Sequence, residues 1–500
     1  MVTPELIAFI KQQLQQGVSL TDITNALVTK GWKVEIIQEA INSLTSPPIP
    51  QSPTKKRHIL RNIFLTIGIL VVFLFLINFS LPYILNFFAK DSVSVQEQDL
   101  QINSRLIPQD QNAFYDVLKI KPLLFYSQDV IDGVKDPSKW NDSIVQDTIS
   151  KNSQTFTLVD TILQKSKYQN PIFADPVNVT LSAWTDSTQK IDPFVLLKTA
   201  RTIELYAQQL HRQEKDNEAI VESLKSVALG HLINGYQPIL VEYLVGIALK
   251  QSGLEASQRL LVGQKLTSDH LISQISNLEK YKNNSEGLTT SLRGEYLFAT
   301  VAIDSALKGN DAAVASLMGS SDKDNASKSI NIKNNHLFQP NKTKVILAQY
   351  YLKSLSDIQQ SCSMITEVKS SQPQKVKPSP LMIFTQNSIG LVLSGAMINS
   401  IDMGKQLEKR CNDILLVSVT QTMFALKAYI IDTSNYPQSL NELVPKYLPS
   451  VPEDPYAGKP IQYNTEKKIL YSIGVGRTDQ GGSEGEDWTK MTNPTFRILF

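Results

Sequence analysis

Apolar residues recur at three- and four-residue intervals near the start of the chain: Leu6, Ile7, Ile10 and Leu14, then Ile23 and Leu27, then Ile36, Ile37, Ile41 and Leu44. That spacing places each set on one helix face and predicts three short amphipathic helices within residues 4–45. Ser19 followed by Asp22 has the form of a capping box for the second helix, and Gly31 closes it. Trp32 follows, either as core of a small bundle or as an exposed docking residue. Residues 46–54 (SPPIPQSPT) read as a stiff, extended, proline-rich tether.

The periodicity then disappears. Residues 62–89 form a stretch of 28 positions without a charged side chain, dominated by Phe, Leu, Ile and Val. A bilayer core needs about 20 apolar residues of helix, so this stretch predicts one transmembrane helix, with Pro82 kinking or ending it and residues 83–88 (YILNFF) as an interfacial aromatic belt. A secretory signal would have a shorter apolar core close to the N-terminus, and a buried soluble helix would more often keep a polar stripe. Lys55, Lys56, Arg57 and Arg61 precede the span, whereas Lys90 beside Asp91 follows it, which puts the N-terminus in the cytoplasm and the bulk of the chain outside.

Helical spacing resumes over residues 91–407. Asp192 with Pro193 marks a strong helix start, and helices are predicted over 192–212, 217–233, 238–250 and 254–266, with breaks at Lys215–Asp216, Gly235 and Ser252–Gly253. Short breaks imply antiparallel neighbours, and no fixed 34-residue recurrence is present, so an irregular solenoid or bundle is expected. Residues 319–336 read as a polar loop, Pro340 stands ahead of a helix over 344–358, and the polar segment 370–380 separates it from a helix over 381–407.

Beyond Cys411 the pattern changes again. Residues 414–433 carry one apolar stripe through Leu415, Val419, Met423, Leu426 and Ile430, followed by a dense series of prolines and aromatics. Short strands are predicted over 461–463 and 469–473, with a terminal strand over 496–500. The expected fold class is therefore mainly α, divided into a three-helix head (1–45), a basic proline-rich linker (46–61), the transmembrane helix (62–89), a large extracytoplasmic helical domain (91–407) and a small α+β domain (408–500).

Forty-nine Lys and Arg against 47 Asp and Glu leave a net charge of +2, which gives no field to recruit nucleic acid. The two cysteines, Cys362 and Cys411, both fall on the predicted outer side, where an oxidising compartment would let them pair; two unrelated buried thiols are the other reading. Candidate catalytic side chains are Glu204, His211, Glu218, Glu222, His231, Glu242 and His270. No metal-binding, nucleophile-elbow, phosphate-loop or dinucleotide motif organises them, so solvated helix charges are the plainer reading. A carboxylate pair that meets only in the fold is the enzymatic alternative.

Three stretches carry resemblances. Residues 6–44 resemble the UBA-like three-helix bundles that precede a membrane span in uncharacterised bacterial envelope proteins, and residues 218–261 resemble helical regions of secreted bacterial proteins with no established activity. Residues 424–482 carry a resemblance to the globular domain of the major pseudopilins of type II secretion, which extends in all over about 75 of the 500 residues. The matching positions are Tyr436, Pro437, Leu440, Leu443, Tyr447, Leu448, Pro449, Asp454, Pro455, Tyr456, Gly458, Pro460, Leu470, Tyr471, Ser472 and Gly474. The methylated prepilin motif of that family is absent. The resemblance implies a calcium ion held in the loop 475–488 by Asp479, Glu484 and Asp487, with Glu486 beside them and Gly476 where an aspartate often stands. By composition alone that loop reads as a solvated acidic one. The expected function is a membrane-anchored, non-enzymatic scaffold or binding protein with envelope protein partners, associated with secretion or pilus-like machinery. The alternative is a cell-envelope hydrolase using carboxylates of the helical domain.

Overall fold

The computed structural model describes residues 2–45, 67–74, 91, 95, 97–102, 106–173, 179–182, 191–235, 239–282, 286–317, 338–371, 387–485 and 487–500. The chain divides into two compact units, Met1–Leu81 and Pro82–Phe500.

In the first unit, α1 (Pro4–Gln15), α2 (Leu20–Thr29) and α3 (Val34–Thr45) bury Leu6, Ile10, Ile23, Leu27, Ile37, Ala40 and Ile41 against one another. Trp32 is half-buried on this core. The cap of α2 differs from a full capping box. Ser19 Oγ accepts from the Asp22 amide at 3.2 Å, but the Asp22 carboxylate takes the Ser19 hydroxyl at 2.6 Å instead of a backbone amide. Aspartate is one methylene shorter than the glutamate of a full box, which keeps its carboxylate near the hydroxyl. Of the charge-free stretch, residues 67–74 are described; they are helical, and the apolar side chains of Ile67 and of residues 69–74 are all exposed. The rest of the expected span lies outside the described residues, as do the tether, the loop over 319–336 and most of 370–386.

The second unit is built on α4 (Gln128–Lys135), α5 (Asp142–Lys151), α6 (Ser153–Leu163), α7 (Pro193–Arg212), α8 (Asp216–Asn234), α9 (Leu240–Arg259), α10 (Ser268–Glu279), α11 (Glu286–Leu307), α12 (Pro340–Ile358), α13 (Ser388–Ser400) and α14 (Met403–Thr433). Asp192 caps α7 by accepting from the Phe194 amide at 3.0 Å, with Pro193 in the first turn where its missing N–H leaves no bond unmade. The break expected at Ser252–Gly253 does not exist, because α9 runs through it. Gly253 is there for contact: a Cβ would sit 2.8 Å from the Ser223 carbonyl oxygen and 2.7 Å from Val227. At the other crossing of the same pair, a Cβ on Gly230 would meet the Gly246 carbonyl at 2.4 Å, so α8 and α9 approach backbone to backbone.

The helix expected over 381–407 and the one expected over 414–433 are also partitioned differently. Asp402 Oδ1 accepts from the Lys405 amide at 3.0 Å and restarts the helix at Met403, so the boundary expected at 408 falls inside the 31-residue α14. This helix is buried on nearly every side over residues 415–428, as the common core of the helical region and the C-terminal sheet. The span 388–433 has the length and composition to cross a membrane, but 78% of its apolar window is buried within the protein, as in a core helix.

A two-stranded ribbon pairs β1 (Glu453–Asp454) with β2 (Lys459–Pro460), and a three-stranded antiparallel sheet has the order β3 (Gln462–Asn464), β4 (Ile469–Tyr471), β5 (Thr495–Arg497). The pairs Tyr463↔Leu470 and Leu470↔Phe496 set its register, and Ile461, Leu470, Phe496 and Ile498 join the α14 core. The terminal strand begins and ends earlier than expected because its pairing ends with Arg497 opposite Ile469.

Candidate functional site

A groove runs along α9. Its first part, a cavity of about 370 Å³, lies between α4, α7 and α9 and is lined by Asp132, Arg201, Glu204, Gln251, Glu255 and Arg259 among others. Its second part, about 280 Å³, lies between α9, α14 and the C-terminal loop, with Ile247, Lys409, Asn412, Leu416 and Trp488 in its wall. The two share Ala248 and Gln251. Trp488 crosses from the loop to the helix: its Nε1 donates to Glu255 Oε1 at 3.0 Å, while its ring packs against Phe496 with centroids 5.0 Å apart. Gln251 Nε2 donates to the same Glu255 oxygen at 2.8 Å. Glu204 is held by Arg259, Asp132 accepts from Gln128 at 2.7 Å, and Arg201 donates to the Tyr126 hydroxyl at 3.1 Å.

The structure disperses the other sequence candidates. His211 Nδ1 meets the buried Asp216 at 2.6 Å, but the second oxygen of Asp216 takes the Lys265 amide at 2.7 Å, which makes the pair a pin for the turn after α9. Glu222 is buried, and burial pushes its carboxyl up against the opposing pull of Lys225, 2.8 Å away. Glu218 and Glu222 share α8 without a common partner among the described contacts. Glu242 is buried on α9 and His270 lies on α10, where burial lowers its imidazole pKa. His231 lies near the end of α8, its ring edge-on to Tyr281. These groups are spread over α7, α8, α9 and α10.

In the acidic loop, Asp479 Oδ1 accepts from the Gly481 amide at 2.8 Å, and Asp487 caps the turn Trp488–Lys490 through Thr489 while pairing with Lys490 at 2.9 Å. Glu484 is exposed, and Glu486 lies outside the described residues. Among the described residues no group of three or more His, Cys, Asp or Glu side chains could hold a metal ion. The calcium expectation therefore finds no converging ligand set here. Asn493 fixes this loop from within through neutral hydrogen bonds, donating to the Ile473 and Thr478 carbonyls at 2.9 Å and accepting from the Gln480 amide at 2.7 Å, and Arg477 ties it to Glu367 at 3.0 Å.

Asp454 is the matching anchor from the other side. It is fully buried and accepts from the Tyr456 amide, the Ser472 hydroxyl and the Ile473 amide at 2.9–3.0 Å. Tyr456 reaches α14, donating to Asn412 Oδ1 at 2.7 Å. Cys362 Sγ and Cys411 Sγ are joined, tying the turn after α12 to α14. Sequence reasoning missed Trp488 and the buried pair of Lys250 with Asp413; a lone lysine directly after the apolar run 244–249 of α9 was the available signal for the second. No protein family, curated protein or solved structure matches the chain.

Proposed function

We propose that this is a single-pass membrane protein of the cell envelope, with the three-helix unit in the cytoplasm and residues 91–500 outside, and that it binds or scaffolds other proteins. The charge-free stretch 62–89 behind Lys55, Lys56, Arg57 and Arg61 supports the anchor and its orientation. The observation that carries the binding reading is the groove along α9. Its carboxylates, Asp132, Glu204, Glu255 and Asp413, are each engaged by a neighbouring donor, Asp413 by the buried Lys250, so the groove offers positioned polar groups and an indole rather than a carboxylate pair left to act on a substrate. An aromatic anchor flanked by fixed polar groups is the make-up of a protein-binding hot spot. The pseudopilin resemblance of residues 424–482 supports secretion or pilus-like components as the partners.

A truncation at about residue 405 would cut α14 and unfold the core, so the test uses point probes in the full chain. A photo-crosslinking residue at Gln128 or Thr489, on the groove, is compared with one at the exposed Thr161 on α6, in native membranes. Adducts with secretion or pilus components from the groove positions alone are expected. Absence of protein adducts from the groove would overturn the reading.

A further inference from the structure

A separate cavity of about 430 Å³ lies where three helix ends meet: the segment after α6 with Lys165, Lys167 and Tyr168, the end of α8 with His231, and the residues after α10, Lys280 and Tyr281. We propose that this cleft binds an oxyanion, the phosphate group of a phosphate ester.

Three ammonium groups line it and no carboxylate does. Lys165 is held from behind by Asp116 at 2.5 Å, which fixes its position and spends much of its charge. Lys167 and Lys280 form no ion pair among the described residues, and both are exposed at the rim. A fourth ammonium, Lys250, lies buried behind the wall and donates to the Tyr281 carbonyl at 2.7 Å, with its charge balanced by Asp413.

Helix ends alone favour a cation, by about 0.3–1 kcal/mol each, and that accounts for Lys280 just past α10 and for Lys165 just past α6. It does not account for Lys167, which lies beyond the helix on a segment bridged to Asn112. His231 supplies a second observation. Burial, and then Lys250 and Lys280, push its pKa down to about 4, so a neutral imidazole lines the same cleft as Lys167 and Lys280, the two wall ammonium groups without an ion pair among the described residues, Lys280 lying over the Tyr281 ring at 5.1 Å. A doubly or singly charged phosphate supplies the missing counter-charge and accepts several donors at once. Leu163 and Leu232 complete the wall with apolar surface, suited to the organic part of an ester.

The ester can come from a lipid headgroup or from a soluble metabolite, and the test separates them. Full-length protein in nonionic detergent is titrated calorimetrically with inorganic phosphate, beside the double variant Lys167→Ala/Lys280→Ala, whose exposed side chains leave the core untouched. The expected result is saturable binding that weakens at least tenfold in the variant, with no heat from chloride at equal ionic strength. Identical titrations for both proteins, or no saturable heat, would overturn the assignment. Short-chain phosphatidylglycerol is the second probe: tighter variant-sensitive binding than inorganic phosphate assigns the site to a lipid headgroup, and weaker binding assigns it to a soluble phosphate ester. This inference does not rest on the protein-binding reading of the α9 groove.

Discussion

Lys250 of α9 and Asp413 of α14 form an ion pair of 2.5 Å in which the two side chains are 0% and 2% exposed. The pair clamps the helical region to the helix that carries the C-terminal sheet. Removing one partner leaves a charge in the core without its counter-ion, which typically destabilises by about 3–5 kcal/mol, whereas replacing both with apolar residues is often close to neutral. Asp413→Ala is expected to lower the denaturant midpoint strongly, and Lys250→Met/Asp413→Leu to restore most of it. Equilibrium denaturation of the three proteins reads the difference; a double variant as unstable as the single one would show that the charges themselves are required.

The disulfide closes a loop with a sequence separation of 49 residues that contains α13 and the first turns of α14. In the chain-entropy treatment a loop of this size contributes about 4 kcal/mol, at the upper end of the usual range of about 2–4. Cys362→Ser/Cys411→Ser is expected to melt at a lower temperature than the parent, and reductant to lower the parent's melting temperature to that of the variant. Thermal melts with and without reductant decide it; coincident curves would mean that the remaining contacts of Cys362 and Cys411 already hold α14.

Much of this architecture is legible in local pattern. Leu6, Ile10, Ile23, Leu27, Ile37 and Ile41 are buried as their spacing predicts, and Asp192–Pro193, Pro340 and the strands around Leu470 stand at the expected elements. What escapes local pattern depends on partners distant in sequence. Gly253 reads as a break because a glycine lowers helix propensity, yet it is required by the approach of α8. Asp402 was one acidic residue among many until its amide partner fixed the start of α14. The groove needs Trp488 and Glu255, 233 positions apart, which no spacing rule connects.

Asp454 pins the C-terminal fold. Its two oxygens take three donors from the 456 and 472–473 segments in a fully buried site. Asp454→Ala strands those donors, each worth about 1–3 kcal/mol when left unsatisfied, and is expected to unfold the sheet. Asp454→Asn keeps the shape but replaces an acceptor oxygen by a donor, so an intermediate loss is expected. Hydrogen exchange at the Ile473 amide reads the local effect; unchanged protection in Asp454→Ala would refute the role assigned to it.

Metal removal is expected to do little. Asp487 is committed to Thr489 and Lys490, and Asp479 to the Gly481 amide, so the loop around Asn493 holds its form through neutral hydrogen bonds. A bound structural ion would raise the melting temperature by mass action. Melts of the full chain in calcium and in chelator are expected to coincide, and a clear upward shift with calcium would restore the ligand set that the pseudopilin resemblance implied.

His231 gives the fold an acid-side weakness. Its pKa is pushed down to about 4, first by burial and then by Lys250 and Lys280, against an ordinary value of 6.5. Between these two values the unfolded chain binds a proton that the folded one refuses, so stability is full above about pH 6.5 and falls as pH drops toward 4. A full shift of this size would be worth about 3 kcal/mol, and solvent screening at a half-buried ring reduces it to about 1–2. His231→Gln, which cannot charge, is expected to flatten the stability profile between pH 7 and 5 while leaving the pH 7 value nearly unchanged. Urea denaturation at the two pH values tests this. If the parent and the variant lose the same stability on acidification, the weakness lies in other groups. If phosphate occupies the neighbouring cleft, its negative charge opposes Lys280, raises the imidazole pKa and shrinks the parent's loss, and the same titration repeated in phosphate buffer reads that coupling directly.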